Sequence, residues 1–559
     1  MSRRDDCAAT SMPAISRLQR LLRSLPGPWF LVTFAIALPA ILVVGVVAGA
    51  SLSPDTEVWP HLLEYVLPRV LSNTVWLVLG VAVLTTVLGT GLAWLTAVCE
   101  FPGRAIFSWA LLLPLAIPGY VLGFVAIGLL EYAGPVQGFL REWLGPGNWL
   151  PPIRSRIGII VVLGLTLYPY VYLVARGAFL TQGKRVLEVA QSVGFNRVQG
   201  FFKVALPMAR PWIAGGVMLA VMETLADFGT VAVFNYDTLT TAIYHAWFGL
   251  FSVKAALQLA SFLVLGVFIV VVIEQWFRTR ARYNPGKSPP GGRISLGTRS
   301  RWLGFAFCAL VLLMAFLIPF TQLLIWAWHD VAEGGLDYRF WGFAWRSVSL
   351  SLTAAGTITL AALLLNYAMR LDAHPASQLA GRIATLGYAL PGTVLAIGIF
   401  VPLVFVNNQL QGVLDYFFAA NAPRLTLQTG LATMLIAYLA RFLAVAHQPV
   451  AANMLRITPA IDESIRVLGV SGWSALRRVH FPMLKTGLLT AFSLAFVDLM
   501  KEMPITLMTR PFGWETLAVR VFEMTSEGQW QQAALPACAI VLVGLLPVVI
   551  LTRRSDNET

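Results

Sequence analysis

Twelve apolar runs, each about long enough to cross a lipid bilayer, follow one another along this chain. A helix needs about 20 apolar residues to span the roughly 30 Å hydrocarbon core of a membrane. The segments that meet this condition are 30–50, 71–98, 106–130, 157–180, 211–234, 255–277, 302–328, 347–369, 382–406, 426–447, 485–508 and 531–552. Since 57% of the residues are hydrophobic and only 12% are charged, a soluble fold could not bury this apolar surface. Long runs favour helices over the short alternating strands of a membrane barrel, so we predict an all-α integral membrane protein.

The positions of Lys and Arg predict the orientation of these segments. With the N-terminus in the cytoplasm, 27 of the 40 Lys and Arg residues fall in cytoplasmic loops, 10 fall in outside loops and three lie within segments. Positive charge collects on the cytoplasmic side of membrane proteins, so both termini are predicted to be cytoplasmic. The net charge of +13 has the same explanation and requires no nucleic-acid partner.

A basic stretch rich in Pro and Gly divides the chain into two halves of six segments each. The predicted divisions are a cytoplasmic tail (1–29), a first repeat (30–277), a linker (278–301), a second repeat (302–552) and a C-terminal tail (553–559). Within the linker, Pro285-Gly286-Lys287-Ser288 resembles the end of a phosphate-binding loop, but Ala281 stands where the pattern needs glycine. We therefore expect no nucleotide hydrolysis and no catalytic residue in this chain. The four scattered cysteines predict neither a disulfide framework nor a metal site.

Two polar loops, one in each half, each contain a Glu, a Gly and a Pro at the same spacings. We name them the first duplicated loop (181–210) and the second duplicated loop (448–485). In both, Glu precedes Gly by six residues and Gly precedes Pro by thirteen. The shared residues are Glu188, Gly194 and Pro207 in the first loop and Glu463, Gly469 and Pro482 in the second. Because the copies lie 275 residues and six segments apart, they have the same orientation, which predicts two parallel repeats.

The local pattern predicts that each duplicated loop is a short helix, a turn and a second short helix outside the bilayer. The shared glycine suits a left-handed helix end, Asn196 and Ser471 suit the following N-cap, and the shared proline is expected to end the unit. Apolar residues at helical spacing provide a stripe that fits a groove in a partner protein. In the first loop this stripe is Val186, Leu187, Val189, Ala190 and Val193. The alternative is an amphipathic hairpin that lies on the membrane surface.

The Glu, Gly and Pro spacing resembles the EAA loop of permease subunits in binding-protein-dependent ABC importers. The first copy keeps Glu188-Val-Ala and the second Glu463-Ser-Ile, so Glu and Gly are retained while the two alanines are degraded. The resemblance implies the fold of the MetI-like permeases, with the whole chain forming two fused permease units. It also implies that the loops bind a dimer of ATPase subunits, which hold ATP and Mg²⁺, and that a periplasmic binding protein delivers the substrate. The implied location is a bacterial inner membrane, and the implied mechanism is alternating access.

Three short stretches narrow this resemblance. Gly89-Thr-Gly-Leu-Ala-Trp94, Phe101-Pro-Gly-Arg104 and Leu113-Pro-Leu-Ala-Ile-Pro-Gly-Tyr120 resemble the fused permeases of ferric-iron importers. Fused permeases for thiamine or aminophosphonate are similar enough to stay as alternatives. Two other classes also remain open: a proton-coupled secondary transporter and an integral membrane enzyme.

Two predicted segments carry paired carboxylates at matched positions. Glu223 and Asp227 lie in the first half, and Asp498 and Glu502 lie 275 residues further on. A spacing of four residues would place each pair on one helix face. An ionised group at a helix centre costs about 2.5–3.5 kcal/mol on insertion scales, so we expect the pairs to face a cavity or a partner. Our hypothesis is that all four line a cation pathway; the alternative is a structural role, with Lys501 neutralising one carboxylate and Tyr, Ser or Thr bonding the others.

Overall fold

A computed structural model represents the protein and describes most of its chain. The described residues are 27–52, 57–182, 185–280, 293–335, 337–372, 374–418, 424, 426–427, 430–470 and 472–557. The predictions made for residues 1–26 of the N-terminal tail, for 281–292 of the linker, for the N-cap Ser471 and for the last two residues of the C-terminal tail lie outside these ranges.

The first half is built almost entirely of helices. Its elements are α1 (Trp29–Ala50), α2 (Trp59–Val98), β1 (Cys99–Glu100), α3 (Arg104–Ala110), a 3-10 turn (Leu113–Ala116), α4 (Gly119–Leu130), α5 (Pro135–Leu144), α6 (Arg156–Gln182), α7 (Arg185–Ser192), α8 (Arg197–Ala226), α9 (Gly229–Val233), α10 (Leu239–Tyr244), a π turn (His245–Gly249) and α11 (Val253–Arg280).

The second half repeats this order. Its elements are β2 (Ile294–Ser295), α12 (Thr298–Ala332), α13 (Phe340–Leu371), α14 (Pro375–Leu386), a 3-10 turn (Gly387–Ala389), α15 (Gly392–Phe418), α16 (Leu431–Met454), α17 (Pro459–Val467), α18 (Gly472–Lys501), α19 (Pro504–Thr509), α20 (Leu517–Ser526) and α21 (Trp530–Asn557).

The predicted all-helical membrane fold is confirmed. Among the described residues, 11 helices are long and apolar enough to span a bilayer. The twelfth predicted segment, 531–552, lies on α21, whose apolar part within the fully described residues is the shorter stretch Trp530–Leu545. The two strands have two residues each and pair in parallel, which joins the end of the linker to the loop after α2.

Four predicted segments, two in each half, are broken rather than continuous. Segment 106–130 divides before α4 and its repeat 382–406 divides before α15, in both cases at a Pro-Gly pair. Segment 211–234 divides after α8, and its repeat 485–508 divides after α18. Hydropathy does not detect such breaks because apolar residues continue through them, whereas the backbone polar groups at a break need new partners inside the protein.

The helix after each duplicated loop does not end at the shared proline, contrary to the prediction. Instead a π turn, Phe201–Ala205 or Leu476–His480, precedes Pro207 or Pro482, and the helix continues into the membrane segment. Proline lacks an N–H and its ring clashes with the carbonyl four residues earlier, so a locally wider turn accommodates it. The π turns in α2 and α12 likewise end two residues before a proline.

The first helix of each half packs against the other half. Helix α1 contacts α13, α14 and α15, while α12 contacts α4 and α6. Glycines permit both approaches: a Cβ on Gly398 would lie 2.7 Å from Val43 of α1, and a Cβ on Gly128 would lie 2.6 Å from Trp326 of α12. Each of the two apolar cores therefore contains residues from both halves.

Candidate functional site

The carboxylates Asp227 and Glu502 lie at the two helix breaks after α8 and α18. Each is the residue that ends its helix, with φ −68° and ψ 124° at Asp227 and φ −70° and ψ 122° at Glu502. The next residues, Phe228 and Met503, also share their dihedral angles (φ −114° and −118°, ψ −42° and −47°). The repeat seen in the sequence is therefore reproduced in the backbone at this point.

Each of these two carboxylates caps the short helix that follows it. The Val231 N–H donates to Oδ1 of Asp227 at 3.1 Å, and the Thr230 hydroxyl donates to Oδ2 at 2.8 Å. In the second half, the Ile505 N–H donates to Oε1 of Glu502 at 2.9 Å. A helix N-terminus favours negative charge, which offsets part of the cost of holding a carboxylate here. The prediction that each pair lies along one continuous helix face is corrected, because Asp227 and Glu502 have extended backbone.

The Pro-Gly pairs noted in both halves explain how these carboxylates fit. A Cβ on Gly119 would lie 3.4 Å from Oδ2 of Asp227 and only 2.7 Å from the Thr230 hydroxyl. A Cβ on Gly392 would lie 3.2 Å from Oε1 of Glu502 and 2.4 Å from Nη1 of Arg441. Glycine is therefore required at both positions by close approach.

A cavity of about 180 Å³ between the two halves brings together the four carboxylates predicted from the sequence. The other polar residues of this cavity, which we name the acidic cavity, come from both halves. They are Thr166, Tyr170, Tyr388, Arg441 and Lys501, with Tyr120 at its edge.

Direct contacts across the acidic cavity tie the halves together. The Tyr388 hydroxyl of the second half donates to Oε1 of Glu223 in the first half at 2.7 Å. The Lys501 ammonium donates to the Leu115 carbonyl at 2.7 Å. Within the second half, Nη1 of Arg441 lies 3.6 Å from Oε2 of Glu502. Part of the structural alternative is therefore present, since Tyr388 and Thr230 each bond one carboxylate, while the cation beside Glu502 is Arg441, which the alternative did not name.

The charges around the acidic cavity do not balance. Four carboxylates face two cations, Arg441 and Lys501, which leaves a formal charge of −2 when all six groups are ionised. The repeat offset places Thr166 and Ala226 at the corresponding positions of the first half, so both cations come from the second half. An excess of negative charge in a low-dielectric space attracts cations and repels anions.

A larger cavity of about 490 Å³, the outer cavity, lies next to the acidic cavity. It is lined by residues of the predicted outside loops, among them Tyr236, Tyr244 and Glu527. Phe228 lines both cavities, and its ring packs at a tilt against Tyr244 and Phe522, with ring centroids 5.2 Å and 5.6 Å away. Its repeat partner Met503 lines the acidic cavity and packs against the next residue, Gly229, where an added Cβ would lie 2.8 Å from the Met503 methyl group.

The duplicated loops have the predicted local structure up to the second helix. Gly194 and Gly469 are left-handed, with φ of 89° and 73°. Asn196 caps α8 in a capping box with Gln199, and α17 begins at Pro459. These features could be predicted from the sequence because they depend on residues a few positions apart.

The apolar stripe predicted for the first loop is partly buried and partly exposed. Ala190 is buried, whereas Val189 and Val193 are 61% and 70% exposed. The side chains of Val186 and Leu187 lie outside the described residues. The second loop likewise exposes Val467 and Trp473, and both Glu188 and Glu463 are exposed. The two loops thus present apolar and acidic side chains together at the surface.

Arg441 and Tyr388, which contact two of the carboxylates in the acidic cavity, are among the lining residues that sequence reasoning missed. Arg441 could have been found, since it is one of three cations inside predicted segments and an intramembrane charge needs a partner. Tyr388 had no such signal, because its contact with Glu223 joins residues 165 positions apart. Within the described ranges, no three His, Cys, Asp or Glu side chains lie close enough to hold a metal ion.

Comparison with known proteins gives a family for part of the chain. Residues 89–283 match the family described as the binding-protein-dependent transport system inner membrane component. This range contains the first duplicated loop, Glu223 and Asp227.

Similar proteins extend over nearly the whole chain. The Fe(3+)-transport system permease protein FbpB 2 of Haemophilus influenzae is 26% identical over 94% of this chain and 96% of its own length. The ferric transport system permease protein FbpB of Actinobacillus pleuropneumoniae is 23% identical over 93% of this chain and 76% of its own length. The sulfate transport system permease protein CysT of Escherichia coli is 32% identical, over 26% of this chain and 50% of its own length.

Proposed function

We propose that this chain, a fused permease of a binding-protein-dependent ABC transport system, carries ferric iron across the bacterial inner membrane. The observation that carries the proposal is the acidic cavity, which lies between the halves and has a formal charge of −2. Similarity over nearly the full length of two ferric permeases supports the same cargo.

The chemistry of the acidic cavity suits passage of a cation rather than storage. Carboxylate and tyrosine oxygens are hard ligands, which match a hard cation such as Fe³⁺. Asp227 and Glu502 are engaged as helix caps, so Glu223 and Asp498 are the carboxylates that a passing ion can reach most directly. Because only two carboxylates are not engaged as helix caps, the cavity would bind the ion weakly, and the ion could leave towards the cytoplasm.

Energy for transport enters through the duplicated loops. Their exposed apolar residues, Val189 and Val193 in the first loop and Val467 and Trp473 in the second, fit grooves in an ATPase dimer. ATP and Mg²⁺ reside on that dimer, which binds on the cytoplasmic side. A periplasmic binding protein delivers iron to the opposite face, and closure of the ATPases moves the halves relative to each other.

The path for iron runs from the outer cavity to the acidic cavity. Phe228 lines both cavities and lies between them, and Met503 of the other half lines the acidic cavity next to Gly229. Because they come from opposite halves, relative movement of the halves would part them. This arrangement is what alternating access requires.

Thiamine and aminophosphonate remain the alternative cargoes. Aminophosphonate carries an anionic phosphonate group, which the negative charge of the acidic cavity disfavours. Proton-coupled transport without an ATPase would leave the duplicated loops without a role, and membrane catalysis would leave the two-fold arrangement of carboxylates unexplained.

The test is iron uptake by proteoliposomes that contain the chain with its ATPase and binding protein. The double variant Glu223→Gln/Asp498→Asn should lower ATP-driven ferric uptake at least about tenfold, equivalent to roughly 1.4 kcal/mol. Glu142→Gln, which removes an exposed carboxylate from α5, should leave uptake unchanged. Unchanged uptake in the double variant would refute the pathway, and uptake driven by a proton gradient without ATPase would refute the ATP-driven mechanism.

A further inference from the structure

A cluster of charged groups holds the second duplicated loop against the ends of two membrane helices. Arg370, at the end of α13, donates from Nη2 to Oδ2 of Asp462 at 2.6 Å and from Nε to the same oxygen at 3.0 Å. His480, in the π turn of α18, contacts Oδ1 of Asp462 through Nε2 at 2.9 Å. Asp462 lies in α17, the first helix of the loop. We name these three residues the latch.

The backbone around the latch is also engaged. Arg370 donates to the carbonyls of Met454 at 3.0 Å and Ile457 at 2.7 Å, at the turn between α16 and α17. One turn earlier on α13, the Tyr367 hydroxyl donates to the Gly472 carbonyl at 2.7 Å. Both the entry to α17 and the start of α18 are therefore fastened to the same helix end.

The sequence of the first half carries no charged residue at the three positions that correspond to the latch. At the repeat offset of 275 residues, Leu95 replaces Arg370, Leu187 replaces Asp462 and Ala205 replaces His480. Aromatic contacts occupy this region instead, with Trp94 4.6 Å from Phe201 between ring centroids. The two duplicated loops thus have the same order of helices and turns, but charged groups attach the second loop to the membrane helices where aromatic rings lie in the first half.

This difference has a mechanical consequence. Apolar contacts are non-directional, so helices held by them can slide and rotate at small cost. Hydrogen bonds between ionised groups are directional and among the strongest in proteins, and a guanidinium that binds a carboxylate and two carbonyls fixes several orientations at once. His480 is only 3% exposed, whereas the side chains of Arg370 and Asp462 are 20% and 26% exposed, so water screens the Arg370–Asp462 contact in part and the His480 side least.

We propose that Arg370, Asp462 and His480 are positioning residues that make the second duplicated loop the stiffer of two unequal connections to the ATPases. Movement of an ATPase subunit is then transmitted tightly through α17 to α13 and α18, and more loosely through the first loop. The proposal rests on the proposed function for its consequence in transport, but the stiffness itself can be measured without any cargo.

The first experiment measures stiffness by hydrogen–deuterium exchange of the full chain in lipid nanodiscs. Arg370→Leu installs the residue that the first half carries at this position. It should raise amide exchange in 459–467 about tenfold, as expected for losing charged hydrogen bonds of roughly 1.5 kcal/mol, and leave 185–192 unchanged. Arg382→Leu, which removes an exposed cation from α14, is the control and should alter neither segment. Equal exchange in wild type and Arg370→Leu would overturn the latch, whatever the cargo.

Acid provides a second way to open the latch. Burial alone would raise the pKa of Asp462, but its hydrogen bonds to Arg370 and His480 outweigh burial and hold the pKa below its ordinary value. Stability from this carboxylate is therefore present above the unfolded pKa of about 4 and is lost as pH falls through the lower folded pKa. Exchange in 459–467, corrected for its intrinsic pH dependence, should rise below about pH 4 in wild type and rise less in Arg370→Leu, where His480 alone still lowers the pKa of Asp462. A rise of the same size in both would contradict the assignment.

The second experiment measures coupling in proteoliposomes with ATPase and binding protein. In Arg370→Leu the amount of cargo moved per ATP hydrolysed should fall about tenfold, while ATPase binding persists. The charge exchange Arg370→Asp/Asp462→Arg should restore part of the ratio, which a purely structural defect would not allow. If single variants fail to fold, the triple variant Arg370→Leu/Asp462→Leu/His480→Ala reproduces the first-half residues and serves instead. If exchange increases but the cargo moved per ATP is unchanged, the latch stabilises the loop without a role in coupling, and the proposal is overturned. If the wild type shows no ATP-driven iron uptake, only the proposed function is refuted.

Discussion

At the scale of single residues, the four intramembrane carboxylates divide into two functional pairs. Asp227 and Glu502 cap short helices through hydrogen bonds to backbone N–H groups. Glu223 accepts from a tyrosine of the other half, and Asp498 lines the same cavity without a capping role. All four line the acidic cavity, and in each half one of the two carboxylates also caps a short helix.

This division predicts different effects of removing each carboxylate. Asp227→Ala should cost about 1 kcal/mol of stability, because it removes the cap of α9. Asp227→Asn should lose much less, since the amide oxygen still accepts from Val231. Glu223→Gln should hardly change stability, as its amide can still bond Tyr388. Thermal unfolding in detergent measures all three, and equal melting temperatures for the Ala and Asn variants would show that the cap contributes nothing.

At the scale of elements, the prolines shared by the two duplicated loops follow a widened turn of a membrane helix rather than end that helix. The π turns before Pro207 and Pro482 keep each duplicated loop continuous with a membrane helix. A π turn contains one extra residue per turn, so it also sets the rotation of the loop relative to the segment below it. The shared proline thus helps to set the orientation of each loop relative to its membrane helix.

Replacing this proline should alter transmission without weakening the fold. Pro207→Ala restores a backbone N–H, and α-helical bonding through 201–205 would rotate the first loop by about 100°, the angle of one residue. We expect cargo moved per ATP to fall several-fold with no loss of melting temperature. Pro39→Ala in α1, a helix without a π turn, is the matched control. If both variants transport normally, the rotation set by the π turn is unimportant.

At the scale of the whole molecule, the two halves are interlocked rather than placed side by side. Helices α1 and α12 each pack against the opposite half, and both apolar cores contain residues from both halves. The acidic cavity is bridged by Tyr388 to Glu223 and by Lys501 to the Leu115 carbonyl. Any relative movement of the halves must therefore change these bridges and the barrier between the two cavities.

The barrier gives the whole-molecule prediction. Phe228→Ala/Met503→Ala removes apolar bulk from both halves and should join the outer and acidic cavities. Proteoliposomes with the double variant should leak cations in the absence of ATP, because the wall between the cavities is lost. Phe316→Ala, which removes a buried ring outside both cavities, should not leak. If the double variant leaks cations no faster than wild type, these two residues do not form the barrier.

The sequence by itself determined the membrane class, the two-fold repeat, the glycine that ends the first short helix of each duplicated loop and the positions of the four carboxylates. These features depend on local composition and on spacings of a few residues, which a chain displays directly. Tertiary structure alone decided that Asp227 and Glu502 leave the helix, that Arg441 and Tyr388 meet the carboxylates and that Arg370 and His480 meet Asp462 of the second loop. Such pairings join residues far apart in the chain, and a buried charge acquires its role only from the groups that packing places around it.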